Sequence, residues 1–304
     1  MKKLLLLALT VISAISLSFD LKTFNIREFD GKLPLISLET FVKNKNYTSV
    51  EGIVYEMPSE EKFRTKADVD QNLLSKEKIA GILVITIDEL ALYNGKKNTA
   101  LVAVNGVVYD VSSSKLWRDG SHRNMHSAGQ ELTYEILKLS PHGPVKLDQM
   151  RPFGILVFTY TQLGKYGKDG TKNYVSAFGV VYDMADSKTV QKGVHFGYPM
   201  GSELTFEILQ RPGHEDMLNR IYPVGLLVFS REDLKHFNGT KVKVISKDLM
   251  KSFVGINGIV YDVTGIDEWQ QKIGVDSNYR TGMFYTISDF SPEEELTRVG
   301  FVIQ

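Results

Sequence analysis

One motif occurs four times in this chain, and no other feature limits its fold as strongly. VEGIVYEM begins at Val50, VNGVVYDV at Val104, AFGVVYDM at Ala177 and INGIVYDV at Ile256. Each copy has a glycine three residues before a tyrosine, then an acidic residue and an apolar one. The glycines Gly52, Gly106, Gly179 and Gly258 stand 54, 73 and 79 residues apart. A second motif closes each copy: AGILVI from Ala80, FGILVF from Phe153, VGLLVF from Val224 and VGFVIQ from Val299. The last two intervals between its glycines are 71 and 75. Two independent markers with nearly one period identify a repeat architecture.

A third marker opens each unit. Thr86-Ile-Asp-Glu89, Thr159-Tyr-Thr-Gln162 and Ser230-Arg-Glu-Asp233 follow the closing runs, and each has the form of a capping box. The short helix expected after each carries Leu90, Leu163 or Leu234 inward and ends at Asn94-Gly95, Gly167 or Asn238-Gly239. The units are therefore 86–157, 158–228 and 229–304. Trp117 and Trp269 support this register, each lying eight residues after Tyr109 or Tyr261.

Within a unit the expected order is helix, strand, hairpin, strand, helices, strand. Asn105-Gly106 and Asn257-Gly258 have the chemistry of two-residue hairpin turns. VVYDV alternates as a strand does, with Val107 and Tyr109 on one face. Leu132, Ile136 and Leu139 recur at helical spacing over Glu131 to Leu139. The fold class is α+β: tandem modules, each a small mixed sheet with short helices around a ligand pocket. At ~72 residues each is long enough for a modest core of its own.

Residues 19–85 read as a degenerate copy. Asp20 would cap a first helix, and Phe29-Asp-Gly31-Lys32 resembles the helix end Tyr93-Asn-Gly95-Lys96. Only 26 residues separate Tyr55 from Gly81, against 45 from Tyr109 to Gly154. The helical middle is mostly lost, and with it any ligand that the middle holds.

Residues 1–18, MKKLLLLALTVISAISLS, have a basic start, a short apolar run to Ile15 and small residues beyond. That is the pattern of a secretory signal peptide. The run falls short of the ~20 apolar residues of a membrane span, so an uncleaved anchor is the alternative. The chain is expected to be secreted or held in the cell envelope, touching membrane only if the leader stays. Its 36 basic and 36 acidic residues cancel, which leaves no field for nucleic acid. The absence of cysteine excludes disulfides, thiolate-held metals, Fe–S clusters and thioether-attached haem. Six histidines remain for metal chemistry. There is no phosphate-cradling glycine loop, HExxH or Gly-x-Ser-x-Gly. Gly164 to Gly170 reads as a loop, and Glu293 to Glu295 as a solvated helix start. No enzymatic role is expected.

The run VNGVVYDV, LWRDG, HSAGQELT and SPHG in the first full unit resembles the cytochrome b5-like haem/steroid-binding family, including its membrane-associated progesterone receptor type. The resemblance covers 86–156 well, 158–227 fairly and 229–304 weakly. It implies a non-covalent haem b with residues 86–157 as the haem-binding domain, and His142 falls where the family places its second axial histidine. The His-Pro-Gly-Gly motif of the first ligand is absent. The receptor type also lacks it and is described as using a tyrosine before the Ala-Gly pair. Here that neighbourhood holds His122, Asn124 and His126, so the first ligand is open between His122, His126 and a tyrosine. Two imidazoles from facing segments suit haem iron. Tyr109 and Tyr182 recur where they could be core residues or pocket walls.

In the second unit His214 matches His142, Tyr198 matches His126, and His195 lies next to the position of His122. A His214–Tyr198 or His214–His195 pair could hold haem there. The third unit has Tyr279 and Glu295 in place of the histidines and reads as structural. The resemblance implies electron transfer with a redox protein, or haem binding and transfer. The alternative is a haem-free scaffold for a sterol-like or other hydrophobic small molecule, or for a protein partner at the cell surface.

Overall fold

The computed structural model describes residues 19–167, 172–244, 247–288, 290 and 296–303. The expectations placed on the leader, on residues 168–170 and on Glu293–Glu295 fall outside them. Each of the four motif copies forms a hairpin. Tyr47–Val50 pairs with Ile53–Glu56, Leu101–Val104 with Val107–Asp110, and Tyr174–Ala177 with Val180–Asp183. In the last copy the end of Lys247–Ile256 pairs with Ile259–Asp262. The turns Glu51-Gly52, Asn105-Gly106, Phe178-Gly179 and Asn257-Gly258 all have both residues at positive φ. This is the mirror-image turn that matches strand twist. The second strand of each hairpin runs antiparallel to its closing strand: Ile79–Thr86, Arg151–Thr159, Tyr222–Phe229 or Thr297–Val302. A register shift at the same place in all four pairings marks a recurrent irregularity.

The closing strands then pair with one another in parallel, and the first of them also pairs in parallel with the short strand Leu35–Ser37. Ile36 lies opposite Leu83, Ile85 opposite Leu156, Phe158 opposite Leu227 and Phe229 opposite Val302. A bridge from Ile303 back to Leu35 closes the circuit. Close approach at this circuit explains the recurrent closing glycine: a Cβ on Gly154 would stand 2.5 Å from the Leu83 carbonyl oxygen.

The expectation of a small sheet and a separate core in each unit is therefore corrected. Among the described residues the hairpins and closing strands belong to one 17-stranded sheet, with few and short helices around it. The reason lies in the closing runs themselves, which are apolar at consecutive positions rather than alternate ones. Ile82 and Val84 enter one core, Leu83 and Ile85 the other, and both cores draw on residues from every unit. Strands apolar on both faces require cover on both. The third unit adds a smaller cluster of its own around Tyr261 and Trp269.

The opening helices follow the sequence closely. Thr86 with Glu89, Thr159 with Gln162 and Ser230 with Asp233 form reciprocal capping boxes. Leu90, Leu163 and Leu234 are buried. The leading unit departs from expectation: its opening helix is Leu38–Lys43, where the Ser37 hydroxyl accepts from the Thr40 N–H at 3.1 Å. Asp20 caps no helix there. Residues 19–34 instead cross the hairpin turns, with Leu21 against Gly52 and Ile26 against Gly106. The Phe29 ring lies 4.8 Å from that of Phe301.

Ion pairs join successive units, half-buried at the first junction and buried at the second. Glu135 of the first accepts from Lys172 of the second at 3.0 Å, while the Tyr174 hydroxyl donates to Glu131 at 2.8 Å. One unit further, Lys251 meets Glu203 at 3.2 Å and Glu207 at 3.1 Å. Burial pushes the Glu131 carboxyl up to about 7, against the opposing pull of Lys172, Thr133 and Tyr174. Among the described residues no helix is long and apolar enough to cross a membrane.

Candidate ligand-binding site

The aligned glycines Gly129, Gly201 and Gly282 each donate a backbone N–H to the first strand of their own hairpin, at Leu101, Tyr174 and Phe253. This shared anchor fixes where the residues before it can reach. In the first unit a ladder pairs His122 with His126 across a turn in which Arg123 and Asn124 have positive φ. The second unit pairs His195 with Tyr198 across Phe196-Gly197, a turn one residue shorter. His195 is thus the structural match of His122, and the shorter turn is why sequence spacing alone set it one position off. His142 stands just before the helical turn Gly143–Gln149, and His214 opens the helix His214–Leu218.

In the first unit His122 is buried, and its ring stacks on Trp117 with centroids 5.0 Å apart. The His142 ring lies 6.1 Å away and perpendicular to it, at 89°. His126 lies 6.3 Å from His122 with nearly parallel planes. The buried Nδ1 of His122 has no hydrogen-bond partner among the described residues. Burial lowers the His122 pKa, reinforced by His126, His142 and Arg123, so its imidazole stays neutral. His142 is exposed, and its Nδ1 lies 3.0 Å from the Gly143 carbonyl oxygen. His122 and His142 share a slot of about 40 Å³ with Val104, Trp117, Leu147 and Met150. His126 is not among the residues that line it.

The second unit holds a cavity of about 300 Å³ in the corresponding place. His195, Tyr198 and His214 line it together with Met200, Leu204, Ile208, Met217 and Ile221. The Nδ1 of His195 lies 2.8 Å from the Thr189 hydroxyl, which fixes the ring and leaves Nε2 for a ligand. Burial lowers the His195 pKa, with His214 and Arg211 adding to the effect. The Arg211 guanidinium sits 5.3 Å from the centre of the Tyr198 ring. One matched position differs strongly in side-chain size. Eight residues after Tyr182 stands Val190, where the first unit has Trp117 eight residues after Tyr109.

Tyr109 and Tyr182 line neither space. Both are buried core residues, and burial pushes the Tyr109 hydroxyl up to about 12. The Tyr182 ring lies 5.7 Å from the Arg27 guanidinium of the leading segment. That guanidinium donates to the carbonyl oxygen of Ile221, a wall residue of the second cavity, at 2.6 Å. In the third unit Tyr261, Trp269, Ile273 and Phe290 pack into the space between hairpin and closing strand, and the Tyr279 ring lies 4.3 Å from that of Tyr285. An open polar cleft of about 340 Å³, bounded by Asn98, Ser112, Ser113, Arg118 and Asp119, also touches Trp117 but holds no histidine.

Sequence reasoning missed Thr189 and Arg211, whose roles depend on a hairpin that spacing does not reveal. It also left Trp117 as plain core, although the Trp-to-Val change at matched positions was legible. Among the described residues no three His, Cys, Asp or Glu side chains converge as a metal cage. Haem iron has four donors from its macrocycle and needs at most two from the protein. The second unit has room and a histidine pair; the first has the pair without the room.

No family model matches the chain, and no curated protein matches it. Two solved structures are similar to part of it. The cytochrome b5 domain protein of Hadesarchaea YNP_N21 is 44% identical, over 24% of this chain and 96% of that one, with a TM-score of 0.23. The cytochrome b5 domain protein of Methanococcoides burtonii is 40% identical, over 24% of this chain and 95% of that one, also with a TM-score of 0.23. The likeness is confined to that share of the chain.

Proposed function

We propose that the protein is an exported, non-enzymatic haem-binding protein built of tandem b5-like units, with its haem b in the second unit. The observation that carries this reading is the apolar cavity of about 300 Å³ with His195, Tyr198 and His214 in its walls. Apolar lining with a few placed polar groups is the usual make-up of a cofactor site. His195, oriented by Thr189, and His214 are the residues that would hold the iron, with Tyr198 in reserve. Arg211 and Arg220, also in the lining, supply cations for carboxylate groups at the mouth. Bound haem would supply a one-electron couple, or a cargo for delivery to a partner.

Titration of the purified protein with ferric haem tests this. A shifted Soret band should saturate, and His195→Ala or His214→Ala should weaken binding at least ~10-fold, as loss of an axial ligand requires. A Soret band unaltered by saturating protein contradicts haem binding. Displacement of an apolar dye from the same cavity by a sterol would then favour the haem-free reading, which rests on the same apolar wall.

A further inference from the structure

The first unit's histidine slot has the wrong size for a macrocycle and an unusual set of donors for anything else. It offers two imidazoles, His122 and His142, and one thioether, Met150, around about 40 Å³. That is space for a single ion with a water at most. The residues lining it include no carboxylate, and one of them, Lys146, carries a positive charge. A divalent cation there would lack any anionic ligand. Hard cations select oxygen donors and the slot has no carboxylate to give. Imidazole and thioether donors without carboxylate suit soft, monovalent copper.

Three further observations support an ion at this place. His122 is 6% exposed, and its buried Nδ1 has no hydrogen-bond partner among the described residues. Such an atom is costly to bury unpaired. The His122 and His142 rings stand perpendicular with centroids 6.1 Å apart, a gap that takes a metal with ring nitrogens about 2 Å from it on each side. Trp117 stacks on His122 at 5.0 Å and closes one wall, a position in which an indole face adds cation–π attraction.

We infer that the first unit binds one copper(I) ion through His122, His142 and Met150, beside the Trp117 ring. The site is separate from the second unit's cavity and does not depend on what that cavity holds. Val102, Val104, Val111, Ile136 and Leu147 line the slot with apolar side chains, while His142 reaches it from an exposed position.

The test is an anaerobic titration of the purified protein with copper(I) against a colorimetric copper(I) chelator, read also by tryptophan fluorescence. One equivalent should be withdrawn from the chelator. Met150→Leu, which keeps the volume of the side chain, and His142→Ala, at an exposed position, should each weaken retention at least tenfold. Trp117→Phe should abolish the copper-dependent fluorescence quench while Trp269 still emits. His214→Ala should change none of this. Failure to compete with the chelator overturns the proposal. So does retention unchanged by both Met150→Leu and His142→Ala, or loss of retention in His214→Ala. A haem titration in which His142→Ala abolishes binding also overturns it, because the slot would then be a macrocycle site.

Discussion

The first and second units share their hairpins, capping boxes, anchoring glycines and histidine positions, yet enclose spaces of about 40 and 300 Å³. The first has His122 and His142 in its lining, His126 behind His122, and Trp117 in its wall. The second has two histidines, a tyrosine and Val190 where the tryptophan would stand. Counting candidate ligands ranks the first unit higher, whereas counting space ranks the second higher. A ligand set is only half of a binding site, and the side chain that occupies the slot decides what size of ligand the set can reach.

The largest effect is expected where the two units dock to their successors. Lys251 is almost completely buried between Glu203 and Glu207, whereas the side chain of Lys172 is 25% exposed beside Glu131 and Glu135. Removing one partner from a buried set of charges costs ~3–5 kcal/mol. Lys251→Met should therefore lower denaturant stability by about that amount, and Lys172→Met should cost clearly less. Equal losses in chemical denaturation would break the comparison between the two junctions.

The next test exchanges the residues that set the two sizes. Trp117→Val should open the first slot, so that the variant takes up a second equivalent of haem. Val190→Trp should reduce haem affinity of the second unit by at least ~10-fold through steric filling. Haem stoichiometry by absorbance titration measures both. An unchanged stoichiometry in Trp117→Val would mean that the backbone, not the indole, narrows the slot.

A smaller effect is expected at Thr189, whose hydroxyl meets the far nitrogen of His195 and the Ser187 hydroxyl. Groups that orient a ligating histidine are commonly worth ~10–100-fold in affinity. Thr189→Val should weaken haem binding toward the lower end of that range, and Thr189→Ser should restore it. A matching change at the first unit has no such partner to lose, since Nδ1 of His122, the match of His195, has no hydrogen-bond partner among the described residues.

A separate effect concerns pH. Glu131 has its pKa raised from 4.5 to about 7 by burial. The folded state therefore holds this proton more tightly than the unfolded chain does. The contribution to stability is fully present below the ordinary carboxyl range and is lost as pH rises through about 7. Thermal unfolding followed between pH 4.5 and 7.5 should show this decline, and Glu131→Gln should flatten it.

Much of this molecule is legible in its sequence. The four turn motifs, the three capping boxes and the inward leucines stand where the residues place them, because turn and cap chemistry is local. The pairing of closing strands was not read, although the signal was present. AGILVI, FGILVF and VGLLVF are apolar at consecutive positions, which marks strands covered on both faces. The leading unit's helix was misplaced because Asp20 has cap chemistry while Ser37, with no acid or amide three residues on, looks less like a capping box. His122, His142, His195 and His214 were all named from the sequence. Which of them has room beside it could not be, since cavity size depends on how Trp117 or Val190 meets segments distant in the chain.

The most direct measurement is the count of haem per chain in four variants prepared side by side. One equivalent should bind to the native protein, to His122→Ala and to His142→Ala, and at the same concentrations the His195→Ala/His214→Ala double variant should bind none. Loss of haem in His122→Ala or His142→Ala, with full binding retained in the double variant, would contradict the assignment of the macrocycle to the second unit.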